Sequence, residues 1–213
     1  MRHAAFLAKS GQVHATGCNK KGQLGVGPEV TRAHSPAAPV LDSAVEIECG
    51  QNFTLARRAD GVIVGFGDNK YGQIGLSHGP RCFRPVPIQP VPPNEKVISI
   101  SCGWTHLVCL TESGSVLTRG RNTYGQLGRP DDGADSRAQV MKRVTSVSSG
   151  YEHVLAVTES QELVVWGWNE HGNCGLNGTA NVTLPRKLEG FSGHLVTKCF
   201  GGSGHSFCTT NKT

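Results

Sequence analysis

The stretch Gly120-Arg-Asn-Thr-Tyr-Gly-Gln-Leu-Gly128 is the strongest evidence for the fold of this chain, because three variants of it occur elsewhere in the 213 residues. We call it the glycine phrase. The variants begin at Gly17, Gly67 and Gly167, so the four starting glycines are separated by 50, 53 and 47 residues. Repeats with a period of about 20–50 residues are typical of solenoids, propellers and other tandem arrays. We therefore predict a single repeat domain over residues 1–213, with its function in the positions that differ between copies.

Short strands and glycine turns surround each glycine phrase. In the third copy, the runs Val97–Gly103 and Lys142–Gly150 alternate, are rich in β-branched side chains and end in glycine, which predicts strands running into turns. Trp104–Thr111 and Ser115–Thr118 are predicted strands, and Glu112-Ser-Gly114 between them predicts a hairpin turn. Gln161 takes the position of the turn glycine in the fourth copy. No window shows a sustained apolar period of 3.6 residues, so helices are not expected. The predicted repeats cover approximately 1–50, 51–103, 104–150 and 151–202, with a partial copy at 203–213.

The residues that recur in every copy are interpreted as architecture. Glycine at a fixed offset indicates a backbone turn with positive φ or a close backbone approach. The Gly-x-x-His pattern also recurs, and Phe53 fills the histidine slot in the second copy, which favours packing over catalysis. The asparagines of the phrase are interpreted as αL turn residues, and the glutamines as partners of turn backbone groups. The predicted structural set is Gly17, Gly22, Gly25, Gly67, Gly72, Gly75, Gly120, Gly125, Gly128, Gly167, Gly172, Gly175, His106, His153 and His205.

Composition argues against several classes of function. The net charge of +5 comes from short, scattered basic pairs, so direct nucleic-acid binding is not expected. The eight cysteines form no C-x-x-C pair and no zinc spacing, which indicates buried thiols in a reducing compartment and predicts no metal site. No apolar run has the length of a signal peptide or a membrane span. We expect an intracellular protein of the cytoplasm or nucleus.

Enzyme chemistry has no sequence signature here. The G-x-S-x-G, H-E-x-x-H and P-loop motifs do not occur, and the carboxylates are scattered along the chain. The glycine phrases do not lead from a strand into a helix, so they are not expected to hold phosphate. We therefore predict no catalytic residues and no cofactor.

Candidate binding residues are those that break the repeat. The second position of the phrase reads Cys18, Asp68, Arg121 and Trp168 in the four copies, and the fourth and fifth positions also differ. Large aromatic residues in loops are enriched in binding hot spots, although an aromatic side chain can equally cap the core at the edge of a blade. Trp166 is expected in the core, in strand phase with Val164. The predicted partner-binding residues are Trp168, Glu170, His171, Trp104, Tyr151 and Arg121.

The glycine phrase, with Gly-x-x-His and a Gly-x-Val hairpin before it, resembles the repeat of the regulator of chromosome condensation (RCC-type) family over essentially the whole chain. This resemblance implies an all-β propeller of about seven blades. At steps near 50 residues, this chain provides about four blades of four-stranded antiparallel sheets. The leftover ends could pair as one composite blade, or the chain could be the C-terminal portion of a longer protein. We expect the second, an open partial propeller.

A closer resemblance concerns residues 166–175, Trp-Gly-Trp-Asn-Glu-His-Gly-Asn-Cys-Gly, with support from Gly103-Trp-Thr-His106 and Gly50-Gln-Asn-Phe53. They are similar to the fungal alpha-tubulin suppressor branch and to animal secretion-regulating exchange-factor-like proteins. That branch implies a propeller that binds a small zinc-containing protein, in diphthamide formation on elongation factor two and in Elongator-linked modification of tRNA wobble uridines. The propeller would then be a binding partner and not the catalyst. The alternatives are a guanine nucleotide exchange factor for a small GTPase, or a nonfunctional fragment of either.

Overall fold

The computed structural model describes residues 3–36, 38–77, 79–130, 139–191 and 193–212. Within these ranges the chain forms seventeen strands in five antiparallel sheets. No helix in the described residues is long and apolar enough to cross a membrane. The all-β class predicted from the repeats is confirmed.

Each sheet is a meander, so strands that follow one another in sequence lie side by side. The first sheet contains β1 (His3–Leu7), β2 (Val13–Cys18) and β3 (Arg32–Ala33). The second contains β4 (Ala44–Cys49), β5 (Phe53–Arg58), β6 (Ile63–Gly67) and β7 (Cys82–Ile88). The third contains β8 (Val97–Cys102), β9 (His106–Thr111), β10 (Val116–Gly120) and β11 (Gln139–Met141). The fourth contains β12 (Val144–Ser149), β13 (His153–Thr158), β14 (Leu163–Gly167) and β15 (Val182–Lys187). The fifth contains β16 (His194–Gly201) and β17 (Ser206–Lys212).

The sheets are offset from the sequence repeats. The predicted repeat 51–103 contains the last three strands of the second sheet, β5 to β7, followed by β8, which is the first strand of the third sheet. Each repeat of the sequence therefore spans two neighbouring sheets. The second to fifth sheets each take their strands from two consecutive repeats, and this links successive sheets through the chain itself.

The hairpin turns follow the sequence prediction. Gly11, Gly61 and Gly114 have positive φ in the turns of the first three sheets, and Gln161 has a φ of 59° in the fourth. Gln161 therefore takes over the left-handed position of the turn glycine, as predicted. A left-handed conformation is unfavourable for a residue with a Cβ atom, so this turn carries local backbone strain.

The core lies between successive sheets. One apolar cluster joins the second and third sheets, and another joins the third, fourth and fifth. Trp166, in β14, is fully buried, and its indole Nε1 donates a hydrogen bond to the carbonyl of Gln126 at 3.0 Å. The prediction that Trp166 belongs to the core is confirmed. Burial of such a ring contributes strongly to the stacking of the sheets.

The first strands of neighbouring sheets contact one another, so their unpaired edges face the same interior channel. A side chain from one first strand accepts a hydrogen bond from a backbone N–H of the next first strand. The pairs are Glu46 with Ile100, Ser101 with Ser149, and Ser148 with Gly201, at 3.3, 2.8 and 2.9 Å respectively. Exposed strand edges are templates for aggregation, and here side chains from the adjoining sheet cover them.

The first and last strands of the described chain, β1 and β17, belong to different sheets. β1 pairs with β2 in the first sheet, and β17 pairs with β16 in the fifth. The alternative in which the leftover ends form one composite blade is therefore wrong, and the open partial propeller is the arrangement found. Three of the five sheets have the predicted four strands.

Candidate protein-binding face

The glycine phrases and the Gly-x-x-His turns lie at one end of the sheets. In the third sheet Gly120, at the end of β10, pairs with His106, at the start of β9. The connection from β8 to β9 and the glycine phrase after β10 are therefore neighbours, and the other sheets repeat this arrangement. We call this surface the loop end. The hairpin turns at residues 112–115 and 159–162 lie at the opposite end.

Polar side chains hold each glycine phrase in shape. In the third sheet, Asn122 Oδ1 accepts a hydrogen bond from the backbone N–H of Leu127 at 3.0 Å, and its Nδ2 donates to the carbonyl of Arg129 at 2.9 Å. Gln126 Oε1 accepts from the backbone N–H of Tyr124 at 2.8 Å. The asparagine bond to the backbone recurs in all four phrases, and the glutamine bond recurs in the first three. These loops are therefore held in defined shapes that can present side chains for binding.

The interpretation of the phrase asparagines as αL residues is wrong. Within the described residues, the positive-φ residues other than glycine are Ser43, Arg143 and Gln161. All twelve predicted phrase glycines have positive φ, so glycine takes the left-handed positions. The asparagines keep an ordinary backbone, and their side-chain amides close the loop by hydrogen bonding.

A line of backbone hydrogen bonds joins the Gly-x-x-His turns of neighbouring sheets. The N–H of Gln51 donates to the carbonyl of Trp104 at 3.0 Å, and the N–H of Trp104 donates to Tyr151 at 2.7 Å. The N–H of Tyr151 in turn donates to the carbonyl of Gly202 at 3.0 Å. Gln51, Trp104 and Tyr151, each the residue after the first glycine of its turn, are thereby placed next to one another on adjoining sheets. The variable residues at this position therefore form one continuous surface.

Four of the predicted binding residues meet at the loop end. The ring centroids of Trp104 and Tyr151 are 4.4 Å apart, those of Tyr151 and Trp168 are 6.0 Å apart, and those of Trp168 and His171 are 5.0 Å apart. We call these four side chains the aromatic row. His171 is exposed and the other three are partly exposed, so the row is open to solvent. Glu170 is an exposed neighbour of His171 in the same loop.

Arg121 lies in a separate cluster of the loop end. Its guanidinium carbon is 5.6 Å from the ring centroid of Tyr71 and 5.5 Å from that of Tyr124, and its Nε donates to the hydroxyl of Thr123 at 2.8 Å. Lys70 Nζ is 5.1 Å from the ring centroid of Tyr71. These contacts form a cationic and aromatic cluster on the second and third sheets, beside the aromatic row.

The sequence analysis did not predict Glu152, which forms hydrogen bonds between the two sheets that carry the aromatic row. Glu152 is 1% exposed, and its carboxylate accepts hydrogen bonds from the Thr105 hydroxyl and from Gln126 Nε2, both at 2.7 Å. His106 Nδ1 is 3.4 Å from Glu152 Oε2. The available signal was the third position of Gly-x-x-His, which reads Asn52, Thr105, Glu152 and Gly204. Glu152 thus links the third and fourth sheets, and the linked residues Thr105 and Glu152 directly follow Trp104 and Tyr151 in the chain.

The recurrent histidines occupy different environments. His106 and His153 are fully buried, and His153 Nε2 lies 3.0 Å from the hydroxyl of Ser206 in the next sheet. Burial lowers the pKa of His153 to about 4, so its ring is neutral at neutral pH. His205 is exposed, with its ring against Phe207 at a centroid distance of 5.2 Å. The structural assignment of these histidines stays a prediction.

The cysteines are free thiols. All eight cysteines are free, four buried and four partly buried. Burial raises the pKa of Cys109, Cys174 and Cys199 to about 12. Thiolates are the reactive form, so these three cysteines are unreactive at neutral pH. No group of three or more potential metal ligands occurs in the part of the chain that the structure describes.

Comparison with known proteins identifies the repeat. The chain is 35% identical over 129 residues to the ultraviolet-B receptor UVR8 of Arabidopsis thaliana, a match that covers 60% of this chain and 29% of the receptor. It is 36% identical over 121 residues to the secretion-regulating guanine nucleotide exchange factor of Bos taurus, covering 55% of this chain and 26% of that protein. Each match thus spans less than a third of the relative's length.

The fold matches a solved propeller. The structure of Prp20p from Saccharomyces cerevisiae superposes with a TM-score of 0.87 at 22% identity, covering 100% of this chain and 54% of that one. At this identity the likeness concerns the fold. The family model of the RCC1-like domain matches residues 1–208. The chain therefore belongs to the RCC1-like domain family.

Proposed function

We propose that this chain is a non-catalytic protein-binding propeller and that its partner docks on the loop end, against the aromatic row. The observation that carries the proposal is the aromatic row itself. Trp104 of the third sheet contacts Tyr151 of the fourth, Tyr151 contacts Trp168, and Trp168 contacts His171. All four side chains are open to solvent. Aromatic side chains of this kind are typical anchors of protein interfaces. The hydrogen-bonded loops beneath them lower the entropic cost of binding.

The partner that we propose is a small zinc-binding protein, in the diphthamide and Elongator-linked tRNA modification setting of the alpha-tubulin suppressor branch. Two observations support it. The segment 166–175 resembles that branch and supplies both Trp168 and His171 to the aromatic row. The bovine secretion-regulating relative, a member of the animal side of the branch, is 36% identical over 121 residues.

The test is a binding measurement between the purified chain and the purified small zinc-binding protein. We expect Trp168→Ala to weaken binding by about tenfold or more, because removal of an aromatic anchor costs roughly 2 kcal/mol. Phe207→Ala is the matched control, since Phe207 is an exposed aromatic residue in β17, outside the row. Equal affinity for Trp168→Ala and the wild type would remove Trp168 from the interface.

The second candidate is guanine nucleotide exchange on a small GTPase. The name of the bovine relative, a guanine nucleotide exchange factor, favours it. The structural neighbour Prp20p, which binds Gsp1p and histones, also favours it. The cluster of Lys70, Tyr71, Arg121 and Tyr124 would offer cations to a GTPase surface. A nucleotide-release assay over a panel of GTPases separates the two candidates. Release accelerated above background would favour exchange, and background rates throughout would favour the binding role.

We also propose that the protein works in the cytoplasm or nucleus. The eight free cysteines support a reducing compartment, where thiols stay unpaired. Fluorescence microscopy of the tagged protein at its native expression level tests this. Signal confined to a secretory compartment would contradict it.

A further inference from the structure

The loop end surrounds a cavity of about 420 Å³. It lies where the first strands β4, β8, β12 and β16 run into their turns, and its lining includes Trp104, Tyr151, Gln51 and Ser203. The rings of Trp104 and Tyr151 thus belong both to the aromatic row and to this cavity. A space of this size has room for a long side chain of a partner protein.

Glu48 brings a carboxyl group to the cavity. Its Oε2 accepts one long hydrogen bond, 3.5 Å from the backbone nitrogen of Cys102. Burial raises the pKa of this carboxyl to about 7, and the bond from Cys102 opposes that rise. An ionised carboxylate in such a place is costly unless a cation pairs with it.

The surrounding charges leave Glu48 without a cation. Glu46, on the same strand, is paired with Arg57 at 2.6 Å. Cys49 and Cys102 also line the cavity, and burial raises the pKa of both thiols, so they are uncharged at neutral pH. Lys198 of β16 lines a second cavity, which the first strands form next to the loop-end cavity, and no ion pair joins it to Glu48 within the described ranges. No lysine, arginine or histidine is among the described residues that line the loop-end cavity itself.

We propose that the cavity receives an arginine side chain of the protein partner, with its guanidinium against the rings of Trp104 and Tyr151 and paired with the carboxylate of Glu48. The inference rests on the proposed function, because the arginine enters from the loop end. Arginine fits better than lysine, because its planar guanidinium stacks on aromatic rings and presents a donor fork to a carboxylate.

The experiment titrates the ¹⁵N-labelled protein with the peptide acetyl-Gly-Arg-Gly-amide and follows the indole N–H of Trp104 by NMR. The matched peptide carries citrulline, which has the same shape without the charge. We expect saturable binding of the arginine peptide and affinity at least about tenfold lower for citrulline. We expect the same loss in Glu48→Gln, which keeps the acceptor for Cys102. Equal affinity of the two peptides would overturn the inference.

A second measurement keeps the inference testable if Glu48→Gln folds poorly. Binding of the arginine peptide to the wild-type protein should be about tenfold or more stronger at pH 8.5 than at pH 5.5, because Glu48 is ionised only at the higher pH. The citrulline peptide should show no such change. Arginine binding that is independent of pH would contradict the role of Glu48.

The outcome separates this inference from the proposed function. The peptide titration needs no protein partner, and the Trp168→Ala test needs no arginine. If the arginine peptide fails while Trp168→Ala still weakens partner binding, the cavity inference falls and the proposed function stands. If the peptide binds as expected while the partner binds Trp168→Ala and the wild type equally well, the proposed docking on the aromatic row is contradicted.

Discussion

At the scale of single residues, one carboxylate organises the loop end. Glu152 accepts hydrogen bonds from Thr105 and Gln126 of the third sheet while it sits in the fourth, beside Tyr151. A buried carboxylate is tolerated only when donors satisfy it, and these donors in turn lack another partner if it is removed. The position of the aromatic row thus depends on a residue that is itself not exposed.

Glu152→Ala should therefore destabilise the protein more than Glu152→Gln. We expect a loss of about 3 kcal/mol in the free energy of unfolding for the alanine variant, because it leaves buried donors unpaired. The glutamine variant keeps one carbonyl acceptor and should lose less than half of that. Urea unfolding measures both variants. Equal losses, or none, would contradict the proposed bonding.

The buried ring of His153 predicts a pH dependence of stability with a definite sign. The folded-state pKa of His153 is lowered to about 4 from an ordinary value of 6.5, so the unfolded chain binds the proton more tightly. Stability from this residue is therefore complete above pH 6.5 and declines as the pH falls towards 4, by at most about 3 kcal/mol. His153→Phe, which introduces the residue that Phe53 provides in the second sheet, should flatten this part of the stability profile. A profile unchanged by the substitution would contradict burial of the neutral ring.

At the level of secondary-structure elements, the hairpin turn of the fourth sheet carries backbone strain that the equivalent turns of the first three sheets avoid. Gln161 has a φ of 59° at the position where the first three sheets have glycine. Gln161→Gly should raise the free energy of unfolding by about 0.5 kcal/mol, since relief of strain exceeds the entropy gained by the unfolded chain. The reciprocal change Gly114→Ala should lower it by about 1 kcal/mol. Thermal unfolding of both variants measures these changes. A Gln161→Gly variant less stable than the wild type would contradict the claim that Gln161 strains the turn.

The elements themselves were readable from the sequence, and the contacts between them were not. Alternation of β-branched residues and glycine turns predicted the meander, and the loss of glycine at Gln161 was visible as a substitution in the repeat. The role of Glu152 could not be read, because its donors come from another sheet and lie 26 and 47 residues away. The asparagines misled for the related reason that turn propensity does not reveal which side-chain atoms close a loop.

At the scale of the whole molecule, the repeat brings equivalent positions to one end of successive sheets. Residues that share a structural task stay constant there, while Trp104, Tyr151 and Trp168 differ from their counterparts and meet on adjoining sheets. The sequence predicted these residues individually, and the row they form follows from the stacking. Arg121, predicted with them, instead belongs to the neighbouring cationic cluster.

Hydrogen exchange with and without the purified zinc-binding partner tests whether that partner docks on the aromatic row. We expect binding to slow exchange in residues 103–105, 150–152 and 167–175, at the loop end, and to leave the hairpin turns at 112–115 and 159–162 unchanged. Protection at those opposite hairpin turns, with none along the aromatic row, would contradict it.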